Sequence, residues 1–254
     1  MEIVGRGFIA RYMAPVADRH PHVTLLAAGV SSTRTADPAD YARETALVRA
    51  ELARCRARGS TLVFLSSASS SLYGQPAEPA AEELDPHPRD AYGRHKLSLE
   101  EEVRTGAPDW LVLRLSHVVG PGQRAHQLLP SLVRQVRAGQ VTLHRGAARD
   151  LVDVADVRTA LEALLRQNIR NEVVNVASGF LCPVERIVAG LEARLGVTAR
   201  KELVQANASG APISIRKLRR LLANWPFDFG ADYPERLLER YTQSYDQVAH
   251  GAAG

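Results

Sequence analysis

The chain has 254 residues and a net charge of +4 at pH 7, a length that suits one large domain, or one domain with a small lobe. No apolar run reaches the roughly 18 residues of a membrane-spanning helix, so no membrane partner is expected. Basic residues form no stripe with interleaved aromatic residues, which argues against nucleic-acid binding. No basic segment followed by an apolar stretch, typical of a secretion signal, is found. The two cysteines, Cys55 and Cys182, lie in no CxxC motif and near no histidine cluster. These features predict a cytoplasmic protein with reduced thiols and no metal site.

Apolar segments that do not alternate with polar residues recur along the chain and predict strands buried on both faces. The predicted strands are residues 1–4, 23–29, 61–65, 110–115 and 173–176, with a shorter one at 141–144. Helical periodicity predicts helices at 8–16, 40–58, 91–104, 126–138, 153–167, 183–195, 213–223 and 234–245. In the helix at 40–58, the arginine and glutamate side chains are expected on the side opposite the apolar residues. Strands that alternate with helices predict the α/β class, with a parallel sheet covered on both faces.

A glycine turn follows the first strand, where Gly5-Arg6-Gly7-Phe8-Ile9-Ala10 forms the pattern GxGxxA. In dinucleotide-binding folds such a turn brings the backbone close to a pyrophosphate, and the following helix directs free N–H groups at the anion. The alternative is an ordinary tight turn between a strand and a helix. The position of the turn between a strand and a helix favours the dinucleotide interpretation.

Tyr92 and Lys96 lie four residues apart in a predicted helix, so both side chains project from one face. Hydride transfer to or from a carbonyl carbon needs a proton donor beside it, and a nearby ammonium stabilises the phenolate of a tyrosine. The pair therefore indicates acid/base chemistry. The alternative is a surface tyrosine stacked along its helix.

A serine-rich turn follows the predicted strand that ends at Leu65 and contains Ser66, Ser67, Ser69, Ser70 and Ser71. Open α/β sheets bind ligands at the carboxyl ends of their strands, so a hydroxyl there can bind the substrate oxygen that Tyr92 protonates. We interpret Ser70 and Ser71 as part of a flexible loop.

Seven segments occur in an order that resembles the extended short-chain dehydrogenases/reductases, the group of nucleotide-sugar epimerases, dehydratases and ketoreductases. The segments are GRGFIA, LLAAG, LVFLSSASSSLYG, AYGRHK, LVLRLSHVVGPG, RDLVDVADV and VVNVASG. The resemblance covers nearly the whole chain and implies a Rossmann-like doubly wound parallel sheet with a small C-terminal substrate-binding lobe. It implies a dinucleotide-binding domain of residues 1–120 and 151–176, and a lobe of residues 121–150 and 177–254.

The resemblance also implies roles for individual residues. The cofactor, NAD or NADP, would contact Gly5, Gly7, Phe8, Ile9, Ala10, Ala27, Ala28 and Lys96. Tyr92 would be the acid/base and Lys96 its partner. The catalytic hydroxyl is Ser67 when counted along the strand and Ser69 when counted back from Tyr73-Gly74, and we prefer Ser67. His117 and Arg149 would bind the phosphates of a nucleotide sugar, although Arg149 could instead form a structural ion pair with a neighbouring aspartate.

Two departures from the family pattern limit the prediction. Between Tyr12 and Val23 the family carries two more strands and a helix, about 45 residues that hold the adenine and its ribose. Their loss predicts a narrower sheet, leaves NAD and NADP undistinguished and allows weak cofactor binding, or none. No carboxylate follows Ser67 or Ser69 in the serine turn, so a 4,6-dehydratase is not expected.

These observations favour an NAD(P)-dependent ketoreductase that acts on a nucleotide-linked deoxysugar or a related nucleotide. One alternative is a nucleotide-sugar epimerase with tightly bound NAD. Another is a descendant without redox chemistry that binds a nucleotide or a partner protein. The resemblance further implies a homodimer through residues 40–58 and 91–104. Trp225, Phe227 and Phe229 are expected in the core of the lobe.

Overall fold

The structure is a computed structural model that describes residues 1–30, 37–205, 210, 212–222 and 224–251, with residues 244–251 described by their backbone alone. The strands are β1 (Glu2–Val4), β2 (Val23–Leu26), β3 (Thr61–Ser67), β4 (Trp110–Leu115), β5 (His117–Val119), β6 (Gln140–His144), β7 (Ala148–Asp153), β8 (Glu172–Val176), β9 (Leu181–Pro183) and β10 (Arg200–Val204). The helices are α1 (Phe8–Met13), α2 (Pro38–Arg58), α3 (Ser70–Tyr73), α4 (Ala91–Gly106), α5 (Leu128–Arg137), α6 (Val154–Arg166), α7 (Val184–Leu195), α8 (Arg216–Leu221) and α9 (Tyr233–Gly251). A 3₁₀ segment, Ala14–Arg19, continues α1.

A parallel sheet of order β1-β2-β3-β4-β8 forms the centre of the fold. Leu25 pairs with Val63 and the next residue along, Leu26, pairs with Phe64. Because successive side chains of a strand point to opposite faces, Leu25 and Val63 pack in one apolar cluster, and Leu26 and Phe64 in another. The second cluster contains residues of α2 and α4, and the first contains residues of α1 and α6. The predicted Rossmann-like, doubly wound α/β fold is therefore confirmed.

The two connections that flank β2 run on opposite sides of this sheet. The segment from α1 to residue 19 joins β1 to β2 and buries Met13 and Val16 in the cluster of Leu25. Helix α2 joins β2 to β3 and buries Val48 and Leu52 in the cluster of Leu26. Both connections advance in the same direction across the sheet, so they have opposite hands, whereas such crossovers are nearly always right-handed. One of the two connections is therefore left-handed, which is consistent with the predicted loss of two strands after α1. Without those strands, β1 lies at one edge of the sheet.

Two smaller sheets lie outside the central one. Strands β5 and β7 pair in parallel and β7 pairs with β9 in antiparallel fashion, while β6 pairs in parallel with β10. The sequence analysis missed β5, β7, β9 and β10. Every residue of β10 is exposed, so no apolar pattern marks this strand. The helix predicted at 213–223 is wrong at its start, because Ile213 pairs with Ala80 in an isolated bridge and α8 begins at Arg216.

Helix α2 corrects the expectation that its glutamates all lie away from its apolar side. Glu44 is 3% exposed and Glu51 is 4% exposed. Glu51 is bound by Arg54, one turn along the same helix. Glu44 is bound by groups of α4 and of the loop after β2. Burial of a carboxylate is tolerated where hydrogen bonds and an opposite charge compensate its lost hydration.

The C-terminal part of the chain packs around an aromatic cluster. The rings of Trp225, Phe227, Phe229 and Tyr233 contact one another, with centroids 4.8–5.8 Å apart. Phe227 and Phe229 are buried and Trp225 packs against the main core, which confirms their predicted core role. Both cysteines are buried and free. In the part of the chain that the structure describes, no helix is both long enough and apolar enough to cross a membrane.

Candidate functional site

A cavity of about 510 Å³ opens at the carboxyl ends of β2, β3 and β4. Its size suits a cofactor or small-molecule ligand, and open parallel sheets bind ligands at this edge. The predicted site residues that line it are Phe8, Ile9, Ala27, Ala28, Ser67, Ser69, Tyr92, Lys96, His117 and Arg149. Three predicted residues, Gly5, Gly7 and Ala10, are not among those that line it. Residues far apart in the chain are thus brought to one cavity by the sheet.

The two glycines of the first turn differ in their surroundings. Gly5 has φ of +132°, and a Cβ there would lie 2.6 Å from the carbonyl oxygen of Ala27, so this position requires glycine. Gly7 is the N-cap of α1, carries no side-chain cap, and a Cβ there would meet nothing within 4 Å. The first N–H groups of a helix have no partner within it, so the backbone at Phe8 and Ile9 is available to an anion. Ala10 is buried on the inner side of α1.

The serine turn is ordered by its contacts with α4. Ser71 Oγ donates to Asp90 Oδ2 at 2.7 Å, and Asp90 caps α4 by accepting from the Gly93 N–H at 2.8 Å. A Cβ on Gly93 would lie 1.9 Å from the carbonyl oxygen of Ser71, so the backbones of the turn and of α4 are in close contact. The expectation that Ser70 and Ser71 belong to a flexible loop is wrong, because both lie in the helical turn α3.

Ser67 and Ser69 lie side by side at the cavity wall. Ser67 is the last residue of β3 and Ser69 is the N-cap of α3. Their hydroxyl oxygens are 2.8 Å apart and hydrogen-bonded. The two ways of counting the catalytic serine therefore reach two neighbouring hydroxyls of one site.

Tyr92 and Lys96 occupy the first turns of α4 and both line the cavity. Lys96 is 4% exposed, and its Nζ lies 5.9 Å from the centre of the Tyr92 ring and 5.2 Å from that of Phe64. The ammonium donates to Glu44 Oε1 at 2.7 Å and to the carbonyl oxygen of Leu65 at 3.4 Å. The buried ammonium thus lies beside the phenol and is bound by a carboxylate of α2 and a carbonyl oxygen of β3.

Glu44, the partner of Lys96, was not predicted from the sequence. A signal was present, since Glu44 lies four and eight residues before Val48 and Leu52 and so shares their buried face of α2. Its second oxygen, Oε2, accepts from the Val30 N–H at 3.0 Å and contacts His95 Nε2 at 3.0 Å. Burial opposes ionisation, but the Lys96 charge and these hydrogen bonds hold the pKa of Glu44 below its usual value. The carboxylate is therefore ionised at neutral pH.

His117 and Arg149 come from the paired strands β5 and β7. Burial, with the nearby charge of Arg149, lowers the pKa of His117 to about 4, and burial also lowers the pKa of Arg149. Arg149 Nη1 donates to the carbonyl oxygen of Ala148 at 2.7 Å. The neighbouring Asp150 accepts from Ser178 N, Ser178 Oγ and Gly179 N, each at 2.9 Å, and burial raises its pKa to about 6. This wall of the cavity combines a neutral imidazole with a guanidinium.

The ring signal of His117 in a proton NMR titration should show a midpoint near pH 4, well below the value of about 6.5 for an exposed histidine. Burial and the positive charge of Arg149 both disfavour the imidazolium. This shift contributes a free energy of unfolding that rises with pH between about 4 and 6.5, where the unfolded chain holds the extra proton. The raised pKa of Asp150, about 6, contributes the opposite slope over much of the same range. The matched variant His117→Gln should therefore remove the NMR signal and shift the slope of stability against pH in this window toward a fall. A midpoint near 6.5 would contradict the inferred pKa of His117.

Comparison with known proteins identifies the family of the chain. Residues 8–177 match the NAD dependent epimerase/dehydratase family. Over 139 residues the chain is 36% identical to the GDP-6-deoxy-D-mannose reductase of Pseudomonas aeruginosa, covering 49% of this chain and 46% of the relative. It is 31% identical over 139 residues to the dTDP-6-deoxy-L-talose 4-dehydrogenase (NAD(P)(+)) of Kitasatospora kifunensis, covering 49% of this chain and 44% of the relative. The chain thus spans somewhat less than half the length of these curated relatives in the matched regions.

Solved structures share the fold at low sequence identity. The structure of RMD from Pseudomonas aeruginosa, complexed with NADPH, superposes with a TM-score of 0.79 at 21% identity, covering 97% of this chain and 98% of that one. The UDP-glucuronic acid 4-epimerase of Bacillus cereus, in complex with UDP-glucuronic acid and NAD, gives 0.76 at 23% identity, covering 96% and 81%. At such identities the likeness concerns the fold.

Proposed function

The chain belongs to the NAD dependent epimerase/dehydratase family, and from that premise we propose that it is an NAD(P)-dependent ketoreductase acting on a nucleotide-linked deoxysugar. The observation that carries the proposal is the meeting of Tyr92, Lys96 and Ser67 in one cavity at the carboxyl edge of the sheet. A phenol can protonate a ketone oxygen, an ammonium can stabilise the phenolate that remains, and a hydroxyl can orient the oxygen.

The residues around the cavity fit a nicotinamide dinucleotide. Pyrophosphate oxygens could accept from the backbone N–H groups at Phe8 and Ile9, next to the uncapped Gly7. Ala27 and Ala28 present small side chains at the end of β2, and the Lys96 ammonium can donate to ribose hydroxyls. Bound NADPH in RMD and bound NAD in the Bacillus cereus epimerase are consistent with either cofactor.

The chain's own groups would divide the acid/base work of a reduction. The dinucleotide, when bound, supplies the hydride to the ketone carbon. Tyr92 donates its hydroxyl proton to the ketone oxygen, and the Lys96 ammonium stabilises the phenolate that remains. Ser67 donates a hydrogen bond to the same oxygen and orients it, with Ser69 as the alternative donor 2.8 Å away. In the direction of oxidation the same groups act in reverse order.

The proposed substrate class rests on the cavity wall formed by His117 and Arg149 and on the two curated relatives. A guanidinium suits bidentate binding of a diphosphate, so we assign this role to Arg149, with neutral His117 as a hydrogen-bonding neighbour. Both curated relatives are named for oxidoreductase activity on nucleotide-linked 6-deoxyhexoses. In this proposal residues 1–120 and 151–176 hold the dinucleotide, and residues 121–150 and 177–254 form the lobe that covers the sugar.

We further propose that the protein forms a homodimer through α2 and α4. These helices lie side by side on one face of the sheet, joined by the cluster that includes Leu52 and Val103. The Arg49 guanidinium links the two helices on their outer side through a bidentate ion pair with Glu102. Two copies of such a surface would form a four-helix interface. Sedimentation equilibrium tests this proposal, with a monomer at micromolar concentration as the contrary result.

Calorimetric titration with NADH and NADPH tests the proposed function first, and Gly7→Ala provides the informative variant. A Cβ at position 7 meets no protein atom within 4 Å, so the free energy of unfolding should change by less than about 1 kcal/mol. The added methyl group would occupy space needed by a bound pyrophosphate, and we expect the dissociation constant to rise about tenfold or more. Equal affinities of wild type and variant would place the pyrophosphate elsewhere.

The outcome of this titration also separates the alternatives. Binding of either dinucleotide, together with oxidation of GDP-6-deoxy-D-mannose or dTDP-6-deoxy-L-talose in the presence of NAD or NADP, would support the ketoreductase. Binding of NAD that survives dialysis, with no net change in its redox state during turnover, would favour an epimerase. A folded protein that binds neither dinucleotide would refute both redox functions and favour a nucleotide- or protein-binding role.

A further inference from the structure

We propose that Glu44 is a positioning residue of this active site, whose buried carboxylate fixes the Lys96 ammonium beside Tyr92. The inference rests on the proposed function, because it concerns the group that would contact the cofactor ribose and the catalytic phenol. Glu44 does not line the cavity itself and lies behind Lys96, where its side chain is 1% exposed. It therefore acts on the reaction through the lysine.

The contacts of Glu44 require a carboxylate and not merely a polar side chain. Oε1 accepts from Lys96 Nζ at 2.7 Å, while Oε2 accepts from the Val30 N–H at 3.0 Å. Both oxygens thus face donors. A glutamine has one oxygen and one NH₂ group, so it can accept from Lys96 or from Val30 but would direct its own donor at the other. Only an ionised acid satisfies both sides.

The position of Glu44 in α2 argues against a role in packing alone. The next buried residues on this face, Val48 and Leu52, are aliphatic and pack against the sheet. A buried ion pair gives little or no net stability compared with apolar residues of similar volume. A carboxylate at the buried turn of α2 next to the cavity is better explained by what it does to Lys96.

The geometry defines what Glu44 does. A lysine side chain has four rotatable bonds and a point charge that can be satisfied in many directions. Here the ammonium is bound by Glu44 from α2 and by the Leu65 carbonyl oxygen from β3, with the Phe64 and Tyr92 rings 5.2 and 5.9 Å away. Donors of Lys96 are thereby used on the protein side, and the remaining direction is toward the cavity. His95 of α4, packed on Tyr41 of α2, completes the charged and titratable surroundings of Glu44.

The test compares Glu44→Gln with Glu51→Gln in the full-length protein. Glu51 is the matched control, because it is also a glutamate on α2 and is 4% exposed against 3% for Glu44, but it binds Arg54 and lies away from the cavity. The chain has three lysines, Lys96, Lys201 and Lys217. The ¹⁵N NMR signals of their ammonium groups can therefore be assigned with Lys201→Arg and Lys217→Arg and compared between the variants.

We expect the ¹⁵N signal of the Lys96 ammonium to move from its wild-type position in Glu44→Gln, because the buried ammonium loses its counter-charge and the acceptor 2.7 Å away. Turnover of GDP-6-deoxy-D-mannose with NADP should fall about tenfold or more, with a changed pH profile. Glu51→Gln should leave the Lys96 signal in place and turnover within about twofold of the wild type, as expected for a site remote from the chemistry. Glu44→Asp keeps the charge but shortens the side chain, so it should bring the Lys96 signal back toward its wild-type position while leaving turnover reduced.

Three results would overturn the inference, and they are distinguishable. An unchanged ¹⁵N signal of Lys96 in Glu44→Gln would show that Glu44 does not hold the ammonium. A moved signal with turnover equal to that of Glu51→Gln would reduce the pair to a structural contact. If the wild type binds neither NADH nor NADPH while Lys96 still responds to Glu44→Gln, the proposed function has failed, and the role of Glu44 in catalysis fails with it. Should Glu44→Gln not fold, Glu44→Asp carries the test through its turnover relative to Glu51→Gln.

Discussion

Replacing Tyr92 with phenylalanine should lower the turnover number about 1,000-fold, within the range found when a general acid/base is lost, while the affinity for NADPH changes by less than about twofold. The substitution removes only the phenolic hydroxyl, which is the proposed proton donor. The ring remains beside Lys96, whose Nζ lies 5.9 Å from its centre. Binding is retained because the pyrophosphate and ribose contacts are assigned to other groups.

Steady-state assays with GDP-6-deoxy-D-mannose and NADP, followed by NADPH absorbance, measure the loss in turnover, and calorimetry measures the binding. Tyr12→Phe is the matched control, because the Tyr12 hydroxyl donates to the Pro121 carbonyl oxygen at 3.2 Å and does not line the main cavity. Its turnover should stay close to that of the wild type. If Tyr92→Phe keeps a tenth or more of wild-type turnover, a different group donates the proton.

The largest loss of stability is expected from Arg114→Leu, which should lower the free energy of unfolding by about 3–5 kcal/mol. Arg114 lies in β4 and is 4% exposed. Its Nη2 donates to Glu100 Oε2 at 2.7 Å, its Nε to Glu100 Oε1 at 3.0 Å and its Nη1 to Tyr73 Oη at 2.9 Å. Leucine would leave the Glu100 carboxylate buried, 1% exposed, without its counter-charge.

This buried network also connects the core to the active site. Glu100 lies one turn after Lys96 on α4 and accepts from Ser66, the residue before Ser67. Tyr73 in turn donates to Asn175 Oδ1 at 2.8 Å in β8, and burial raises the pKa of Tyr73 to about 12. Burial opposes the charge of Arg114, but the hydrogen bonds and charge of Glu100 raise its pKa. The network therefore fixes α4 against the central strands.

Urea unfolding of Arg114→Leu, Glu100→Leu and the double variant measures this contribution. Each single variant leaves one charge buried and unpaired, whereas the double variant leaves none. The double variant should therefore be more stable than either single one. If the losses of the two single variants simply add, the two side chains do not interact as described.

The local sequence was sufficient for much of the fold. Strands such as β3 and β4 are apolar along most of their length because both faces of the sheet are covered, and this lack of alternation can be recognised in single segments. The spacing of four residues between Tyr92 and Lys96 fixes their common face once a helix is expected. Glycine marks the first turn in the sequence for two local reasons. Gly5 has a positive φ, and Gly7 is the N-cap of α1 without a side-chain cap.

Other features depend on contacts between distant segments and left no comparable signal. Strand β10 is exposed at every residue, so it carries no buried apolar face that would mark it in the sequence. The strand is defined by its pairing with β6, which lies far away in the chain. The contact that holds Ser71 comes from Asp90, 19 residues away in the chain. The opposite hands of the connections beside β2 follow from which face of the sheet each helix covers.

The sequence alone predicted the α/β class, the family and the residues able to carry acid/base chemistry. Periodicity and spacing are local properties, and they survive in a single chain. The packing of distant segments places Glu44 beside Lys96, joins Ser67 and Ser69 by a hydrogen bond and keeps His117 neutral near Arg149. Charge pairing and burial arise between segments far apart in the chain, where desolvation and Coulomb interactions depend on distances that no local pattern encodes.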